Sequence, residues 1–477
     1  MNKKDTIKIL VVASEVAPFA KTGGLGDVVG SLPKELRKHN IDVRVVLPKY
    51  KSIKEGFFYD IEYLGDFNVS LGWRNQKAGV LKRETEVTTY FIENDYYFGK
   101  DSYYGYENDN ERFSFFCKAV LNMLQFIDFY PDIIHCNDWQ TGPIPMLLNR
   151  VYKKFTAYKD IKTLYTIHNL QYQGGFNKDT IELLDLPWEC FDECEFYGQL
   201  NFMKAGILYC DKISTVSKTY AEEIKTLDYG YGLDGILKEN EHKLLGILNG
   251  IDFDVNNPKT DSRLVANYDI SSIDKKKENK FALQKQLGLE ERDIPMISII
   301  SRLADQKGFD IILPIAEGIL GSEVQLVLLG TGEKKYEDFF RELEWKYSGR
   351  VSSNITFDDT LAQRIYASSD IFLMPSIFEP CGLGQMFSLR YGTIPVVRKT
   401  GGLRDTVEHF DEESGEGNGF VFEHISSEGL SWALNEALGL YNNKEIWKKI
   451  VINAMNSDNS WDSSGNLYVE LYKKILS

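Results

Sequence analysis

Short apolar runs alternate with longer segments of helical period along most of the chain, and this alternation constrains the fold strongly. The runs Ile7–Ala13 and Val43–Leu47 flank a helix candidate, Leu25–Lys38. Parallel strands need crossover helices of this kind, and those helices cover both faces of the sheet. The pattern therefore predicts an α/β fold. Further candidates in the first half are the strands Ile133–Cys136, Thr163–Ile167 and Lys212–Val216 and the helix Arg112–Ile127.

The alternation stops at a polar segment, Asp254–Asp274, and then starts again. The 477 residues amount to about three times the ~150 residues of a typical domain, so two lobes fit the length. We predict two doubly wound, Rossmann-like lobes at 1–252 and 253–457 that face a central cleft. A helix within 458–477 is predicted to pack back on the first lobe. The second lobe's strand candidates are Met296–Ser301, Val324–Leu329, Ile355–Phe357, Ile371–Met374 and Ile394–Val397.

Residues 57–92 depart from this rhythm. Two stretches there, FFYDIEYLGDF and EVTTYFIE, are rich in the aromatic and β-branched residues that strands favour. No helix candidate separates them. We therefore expect antiparallel strands inserted into the first lobe, with the parallel sheet resuming after the insertion.

The charge balance excludes several classes of partner. The chain has 55 basic and 70 acidic side chains, a net charge of −15. Residues 1–250 contribute −5 and residues 251–477 contribute −10. This acidity argues against a nucleic-acid binder and against attachment to an anionic membrane by charge. A small anionic ligand remains possible, provided that a few local cations hold it.

The sequence also bears on the compartment. Six cysteines in 477 residues do not indicate a disulfide framework, and no set of cysteines has zinc-ligand spacing. The apolar run Ile9–Ala13 is too short for a signal peptide. No segment approaches the ~20 apolar residues that cross a bilayer. We therefore expect a cytoplasmic protein without a membrane partner.

A glycine-rich segment occurs twice. KTGGLGD at 21–27 recurs as KTGGLRD at 399–405, and each copy lies between a strand candidate and a helix candidate. Gly24, Gly26 and Gly30 resemble a loose dinucleotide fingerprint, but the acidic residue that binds a ribose is missing after the second strand. Such loops present backbone N–H groups and a helix N-terminus to an anion. A tight turn with a solvated lysine is the alternative.

Four further motifs follow strands, where ligands bind in open α/β sheets. Arg302 and Lys307 lie on one loop and could hold a diphosphate, although two surface cations are the alternative. Glu379, in MPSIFEPCGLG, could bind sugar hydroxyls, stabilise a cationic sugar centre or cap a helix. HCNDW at 135–139 and TIHNL at 166–170 could meet a sugar or be structural.

These motifs, in this order, resemble the bacterial glycogen synthase and plant starch synthase family of retaining glucosyltransferases. The likeness spans nearly the whole chain. The matching segments are KTGGLGDV at 21–28, HCNDWQTG at 135–142, TIHNLQYQG at 166–174, the segment 201–224, ILNGID at 247–252, SRLADQKG at 301–308, PSIFEPCGLGQ at 375–385 and YGTIPVVRKTGGLRDTV at 391–407.

The resemblance implies the GT-B glycosyltransferase fold, with no metal and no other cofactor. The first lobe would hold an α-1,4-glucan such as glycogen, and the second would hold ADP-glucose. Transfer to the non-reducing 4-hydroxyl would retain the anomeric configuration by front-side attack.

The resemblance also implies roles for individual residues. The implied catalytic residues are Lys21, His168, Arg302, Lys307 and Glu379. The implied nucleotide-sugar site adds Gly24, Asn249, Phe357 (stacking on adenine), Cys381, Gly382, Leu383, Thr400, Gly401 and Gly402, with Asp27 in a cleft-facing motif. The implied acceptor residues are Tyr103, Asp138 and Trp139.

Two departures from the family pattern stand out. The usual D-W-H is Asp138-Trp139-Gln140 here, and Phe387 occupies the position at which some related transferases carry a second glutamate. The alternatives are a UDP-glucose or sucrose-forming transferase, an NAD-dependent oxidoreductase, a phosphorolytic enzyme with pyridoxal phosphate, and a non-catalytic glucan-binding protein. The sequence does not predict the oligomeric state.

Overall fold

The computed structural model describes residues 6–477, which divide into two compact α/β units. The first unit ends at Gly250 and also contains Trp461–Ser477, and the second is Ile251–Ser460. Each unit is built around one large sheet. No helix within 6–477 combines the length and the apolar character that crossing a membrane requires.

The large sheet of the first unit has nine strands among the described residues. Their spatial order is β12-β11-β7-β6-β1-β2-β5-β4-β3, and β1 lies in the centre with β6 and β2 parallel on either side. The strands are β1 (Lys8–Val12), β2 (Asp42–Pro48), β3 (Ile61–Leu71), β4 (Arg74–Arg83), β5 (Thr88–Glu93), β6 (Ile133–Asn137), β7 (Lys162–Ile167), β11 (Lys212–Thr215) and β12 (Leu244–Gly246).

The inserted segment is only partly antiparallel. β3 and β4 form an antiparallel hairpin, and β4 continues antiparallel to β5. However, β5 also pairs in parallel with β2, so this strand joins the predicted antiparallel insertion to the parallel part of the sheet. Thr88–Ile92 is buried throughout, as an interior strand covered on both faces is.

Helices and a small sheet complete the first unit. The apolar residues of α1 recur at helical spacing and are buried, which packs this helix on the sheet. The small sheet consists of β8 (Gly175–Phe176), β9 (Glu195–Phe196) and β10 (Gln199–Asn201). The helices are α1 (Gly24–Lys38), α2 (Asp95–Phe98), α3 (Asp109–Phe126), α4 (Pro143–Arg150), α5 (Thr180–Leu183), α6 (Trp188–Cys194), α7 (Phe202–Tyr209), α8 (Lys218–Glu223) and α9 (Asp234–Glu239).

The sheet of the second unit is parallel throughout, with the spatial order β15-β14-β13-β16-β17-β18. The chain starts in the centre, moves outward on one side and then crosses to the other. The switch point therefore lies between β13 and β16, where open α/β sheets bind ligands. The strands are β13 (Met296–Ile300), β14 (Gln325–Leu329), β15 (Val351–Asn354), β16 (Ile371–Met374), β17 (Ile394–Arg398) and β18 (Phe420–Phe422).

The central strand of this sheet shows why it is covered on both faces. Ile297 and Ile299 are buried in one hydrophobic cluster, whereas Met296 is buried in another. Alternate residues of a strand face opposite sides, so both faces of β13 are buried. The covering helices are α10 (Lys276–Leu287), α11 (Phe309–Ile312), α12 (Ala316–Gly321), α13 (Lys334–Lys346), α14 (Asp359–Ser368), α15 (Gly384–Arg390), α16 (Gly401–Thr406), α17 (Ser427–Tyr441) and α18 (Lys444–Asn456).

One strand prediction in this unit is wrong. The apolar run Ile355–Phe357 is not a strand; β15 is instead the preceding segment Val351–Asn354, whose sequence is VSSN. This is the edge strand, where one side of the ladder is open, and polar residues serve as well as apolar ones there. Phe357 lies after the strand, next to the residue that caps α14.

The last helix, α19 (Trp461–Leu476), belongs to the first unit. It packs along α1. Tyr472 lies in the core and its hydroxyl is 2.9 Å from His135 Nδ1 at β6. Near the start of the helix, Ser464 Oγ donates to the carbonyl of Leu248 over 2.5 Å. The first unit is therefore completed by residues from the far end of the chain.

Candidate active site

The switch point of the second unit brings an ammonium and a carboxylate group together. Lys307, after β13, donates from Nζ to Glu379 Oε2 over 2.6 Å. Glu379 follows β16, and the same oxygen accepts a second hydrogen bond from Ser376 Oγ at 2.9 Å. The glutamate is only 7% exposed. Its other oxygen, Oε1, has no hydrogen-bond partner within 6–477, which leaves one carboxylate oxygen available to a ligand.

Hydrogen bonds to main-chain carbonyls hold the two loops of this pair against each other. Gln306 Nε2 donates to the carbonyl of Phe378 at 3.2 Å, and the N–H of Ile377 donates back to the carbonyl of Gln306 at 2.8 Å. Gly308 has φ +75° and lies where a Cβ would collide with the carbonyl of Pro375. The Lys307–Glu379 distance is thus fixed by backbone packing as well as by charge.

A buried arginine that the sequence analysis did not single out supports this loop. Arg398, at the end of β17, is 5% exposed, and its Nε donates to the carbonyl of Ser376 at 2.9 Å. Its Nη2 also donates to the carbonyl of Ile377. The sequence shows only that it directly follows the strand candidate Ile394–Val397, and nothing local indicates which loop it contacts. Its charge lies on the loop that carries Glu379.

The glycine loop at 399–405 packs against the same segment. The N–H of Gly402 donates to the carbonyls of Glu379 and Pro380 at 3.1 and 3.2 Å. A Cβ on Gly401, where φ is +44°, would collide with the carbonyl of Glu379. One on Gly402 would collide with the carbonyl of Cys381. This loop therefore supports Glu379 directly, and that N–H is used inside the protein rather than presented to a ligand.

The corresponding loop of the first unit is organised around Glu15, another residue that the sequence analysis missed. This buried carboxylate accepts hydrogen bonds from Thr22 N at 2.5 Å, Thr22 Oγ1 at 2.7 Å and Gly23 N at 3.3 Å. Tyr104 OH donates to it at 2.8 Å. Two of the amides expected to face an anion are thus already occupied. Lys21 lies beside them and forms an ion pair with Asp27 at 2.9 Å.

His168 and Asp138 lie at the carboxyl ends of β7 and β6. Asp138 Oδ1 accepts from the N–H of His168 at 2.7 Å. Asp138 has φ +55°, a strained conformation for a residue with a Cβ, and such strain is common at functional sites. Burial raises the pKa of Asp138 to about 7.

The hydrogen bonds of His168 fix its tautomer. His168 Nε2 lies 2.9 Å from Asn137 Oδ1, and Asn137 is oriented by its amide, which donates to the carbonyls of Val12 and His135. The Asn137 oxygen therefore accepts, and His168 Nε2 carries the proton. Burial lowers the pKa of His168 to about 3, so the ring is neutral near pH 7. The Nδ1 lone pair is left as an acceptor.

Comparison with known proteins identifies the family. The model of the starch synthase catalytic domain matches residues 8–239, and that of group 1 glycosyl transferases matches residues 279–453. A glycogen synthase of Clostridioides difficile is 50% identical over 98% of this chain and 100% of its own length. A glycogen synthase of Clostridium perfringens is 52% identical, with 98% of each chain covered. The chain belongs to the glycogen synthase family.

Solved structures agree with this assignment. The catalytic domain of starch synthase IV from Arabidopsis thaliana, bound to ADP and acarbose, superposes with a TM-score of 0.93 at 35% identity over 99% of both chains. A sucrose-phosphate synthase from Thermosynechococcus elongatus has a TM-score of 0.64 at 16% identity, covers 98% of this chain and 99% of its own, and shares the fold alone. The predicted α/β fold of the GT-B glycosyltransferases is confirmed, and so is the predicted resemblance.

Within this glycogen synthase family member, the remaining predicted donor residues are less closely connected to Glu379. Arg302 is exposed, and its guanidinium has no hydrogen bond or ion pair with any residue in 6–477. Phe357 is 75% exposed. Cys381 is buried, and Gly382 has φ +74° ahead of α15. Gly24 begins α1, while Thr400 precedes Gly401 and α16, and Leu383 precedes α15.

Among the predicted acceptor residues, Trp139 is half-buried in an aromatic cluster. Its ring lies edge-on to Phe113 at 5.0 Å, and the backbone of Gly174 approaches it closely. Tyr103 packs on Tyr50 at 4.6 Å. These contacts fix the two rings and leave only part of each surface for a ligand.

Asn249 and His135 differ in whether their buried polar atoms have hydrogen-bond partners. Asn249 is 4% exposed, and its Oδ1 is buried without a hydrogen-bond partner in the described chain. Both ring nitrogens of His135 are used instead, by Tyr472 OH and by Thr166 Oγ1 at 2.6 Å. Burial lowers the pKa of His135 to about 3. His135 is therefore a neutral core residue, the structural alternative for HCNDW.

Residues 6–477 offer no group of three or more His, Cys, Asp or Glu side chains placed to hold a metal ion. The cysteines at 117, 136, 190, 194, 210 and 381 are free thiols and buried.

Proposed function

We propose that this glycosyltransferase moves glucose from ADP-glucose to the non-reducing 4-hydroxyl of an α-1,4-glucan such as glycogen, with retention of configuration. The observation that carries the proposal is the Lys307–Glu379 pair at the switch point of the second unit, with one carboxylate oxygen left for a ligand. The Arabidopsis starch synthase IV structure, bound to ADP and acarbose, supports the class of both ligands.

In this proposal the donor diphosphate is held by Arg302 and Lys307. An ammonium has three N–H donors, and Glu379 takes one from Lys307, so two remain for phosphate oxygens. Arg302 has all five of its donors free of other residues in the described chain and can take a phosphate bidentately. As the diphosphate departs its charge increases, and these fixed cations stabilise that charge. Phe357 would stack on the adenine.

Glu379 would face the sugar. Lys307 and Ser376 both bind Oε2, so Oε1 is the oxygen directed to sugar hydroxyls or to the positive charge that develops at C1. Two hydrogen bonds and the packing of Gly401 and Gly402 against its backbone hold the carboxylate before the donor arrives. This preorganisation means that little reorientation is needed when the glycosidic bond breaks.

On the glucan side, His168 would accept a hydrogen bond from a hydroxyl of the transferred glucose through Nδ1, the atom that its tautomer leaves free. Asn249 Oδ1 would gain the donor that it lacks from a ligand hydroxyl. Tyr103, Asp138 and Trp139 would contact the acceptor chain.

The proposed step keeps the anomeric configuration. The bond from C1 to the β-phosphate oxygen of ADP breaks, and a bond from C1 to the acceptor 4-oxygen forms on the same face. The proton of the 4-hydroxyl passes to the departing phosphate oxygen. No metal takes part in this step. ADP and a glucan longer by one residue leave the enzyme.

Donor competition tests the proposal. Purified enzyme with glycogen would receive equal concentrations of ADP-glucose and UDP-glucose, each labelled with a different isotope, and incorporation of both labels would be followed. We expect ADP-glucose to dominate the incorporated label by at least about tenfold, or ~1.4 kcal/mol of discrimination. Equal incorporation, or a preference for UDP-glucose, would refute the donor assignment.

A further inference from the structure

A cavity lies in the second unit, outside the set of residues assigned to donor and acceptor. Its volume is about 1050 Å³, and it is formed where the end of α16, the strand β18 and the start of α17 meet. Such a volume accommodates a drug-sized ligand or a short oligosaccharide. None of its lining residues belongs to the predicted donor or acceptor site, so the proposed reaction leaves the cavity unexplained.

One wall of this cavity is an exposed indole. Trp432, on α17, is 56% exposed and stacks on the ring of His409, with centroids 5.5 Å apart and planes 9° from parallel. A tryptophan this exposed forgoes the stabilisation that burial of its apolar surface would give. In the cavity, the exposed indole lies beside polar groups. Flat aromatic faces next to hydrogen-bonding groups suit ligands with one apolar face and a polar edge.

The indole rests on a fixed support. His409 Nδ1 accepts from the N–H of Val421 at 3.0 Å, so that nitrogen is unprotonated and Nε2 carries the proton. Nε2 lies 3.3 Å from Glu436 Oε1. The edge of Phe420 also packs on the imidazole, at 5.7 Å and 87°. With both ring nitrogens engaged, His409 cannot rotate without losing a hydrogen bond, and the platform is already formed.

The charges of the cavity indicate the chemistry of its ligand. Four carboxylates line it against two cations, and Lys399 is already paired with Glu423 at 2.5 Å. A phosphate or another anion would therefore meet net repulsion. Carboxylates and the exposed Arg404 serve well as partners for hydroxyl groups. The four acids are Asp405, Glu408, Glu423 and Glu428.

We propose that this cavity is a non-catalytic docking site for an α-1,4-glucan chain. The C–H face of a glucose ring would pack on Trp432, and its hydroxyls would bond to the surrounding acids and Arg404. The identity of the ligand as a glucan rests on the proposed function. A neutral polymer suits an acidic pocket, and a second point of attachment would keep the enzyme on a branched particle between transfers.

The test compares two exposed tryptophans of the same unit. Trp432→Ala removes the platform, whereas Trp345→Ala removes an 83% exposed indole from α13 and serves as the matched control. Each full-length variant would run in native gels that contain glycogen. We expect glycogen to retain Trp432→Ala at least about fivefold more weakly than the wild type, and to retain Trp345→Ala as strongly as the wild type. Trp432→Phe keeps an aromatic face and should recover part of the lost retention.

Transfer assays with a short acceptor separate this site from the catalytic one. With maltotriose as acceptor, Trp432→Ala should keep its turnover within about twofold, while its KM for glycogen rises at least threefold. Unchanged glycogen retention in a folded Trp432→Ala protein would overturn the docking site. If the wild type fails to transfer glucose but Trp432 still governs retention, the proposed function fails and the docking site stands.

Discussion

At the scale of single residues, the central feature is that Lys307 and Glu379 neutralise each other at 2.6 Å. An arriving diphosphate therefore meets little net charge from this pair, and the local positive charge comes from Arg302 and from Arg398 beneath the loop. Removing either member of the pair leaves a charge without its partner, which changes the site more than the loss of one hydrogen bond.

Glu379→Ala should nearly abolish transfer while preserving nucleotide binding. Loss of a preorganised group that stabilises the transition state lowers kcat by at least about 10²-fold. Lys307 would lose its counter-charge, so the Kd for ADP should stay within severalfold and move toward tighter binding. Initial rates and titration calorimetry measure the two quantities. The control Ser376→Ala removes one of the two hydrogen bonds to Glu379 and should lower kcat by at most about tenfold. Near-normal turnover of Glu379→Ala would contradict the role assigned to this glutamate.

Three buried groups of the first unit make stability depend on pH in opposite directions. The pKa of both His135 and His168 is lowered to about 3, against ~6.5 when unfolded. The unfolded chain therefore binds two more protons below pH 6, and stability falls as pH falls. The pKa of Asp138 is raised to about 7, so between pH 4 and 7 the folded state binds one more proton and stability rises as pH falls.

Asp138→Asn should steepen the loss of stability in acid. Between pH 6 and 5 the unfolded wild type binds a net one proton more than the folded wild type, so the free energy of unfolding changes by about 1.4 kcal/mol per pH unit. In the variant the difference is two protons, or about 2.7 kcal/mol per pH unit. Urea unfolding monitored at half-unit pH steps measures both slopes. Tyr472→Phe, which removes a hydrogen bond to His135, should lower stability with a slope close to that of the wild type. Equal slopes for Asp138→Asn and wild type would contradict the opposing titrations.

At the scale of elements, the central strands could be predicted from the sequence, whereas the edge strands β12, β15 and β18 were missed and the edge strand β3 was predicted only in part. β16 coincides with its predicted run, and β1 and β13 differ by a residue or two. These strands are apolar because both faces are buried. β15, whose sequence is VSSN, lies at an edge and carries no such signal. Local patterns report burial, so a polar edge strand such as β15 is hidden from them.

The candidate site divides in the same way. Glu379 and Lys307 were predictable because each lies in a distinctive loop after a strand. Glu15 and Arg398 were not, because their roles depend on which loops the fold brings against them. Glu15 binds Tyr104, 89 residues away in the chain. Such a contact follows from the topology and leaves no trace in local spacing.

Gly401→Ala tests the contact between the second glycine loop and the loop of Glu379. A Cβ there would collide with the carbonyl of Glu379, and φ of +44° is strained for alanine. We expect a loss of at least about tenfold in kcat and of roughly 1–3 kcal/mol in stability. The control is Gly439→Ala in α17, where nothing lies within 4 Å, and this change should leave activity unchanged. A fully active Gly401→Ala enzyme would show that the contact does not position the glutamate.

At the scale of the whole molecule, the net negative charge is compatible with the proposed function because local cations bind the donor and the acceptor is neutral. Residues 251–477, which would bind the anionic donor, carry a net charge of −10. The overall field therefore repels the donor, and binding must come from a few cations placed by the switch point. The neutral glucan is indifferent to that field. An acidic surface that repels other anions can coexist with a neutral polymer as substrate and docking partner.

The stereochemistry of the product tests the central claim most directly. The wild-type enzyme would be incubated with maltoheptaose and with ADP-glucose that carries ¹³C at C1 of the glucose. NMR would follow the chemical shift of the labelled carbon and its coupling to H1, which report the configuration of the new linkage. The account predicts an α-1,4 linkage at the non-reducing end, formed with release of one ADP per glucose. A β linkage, or labelled glucose released to water without chain extension, would contradict it.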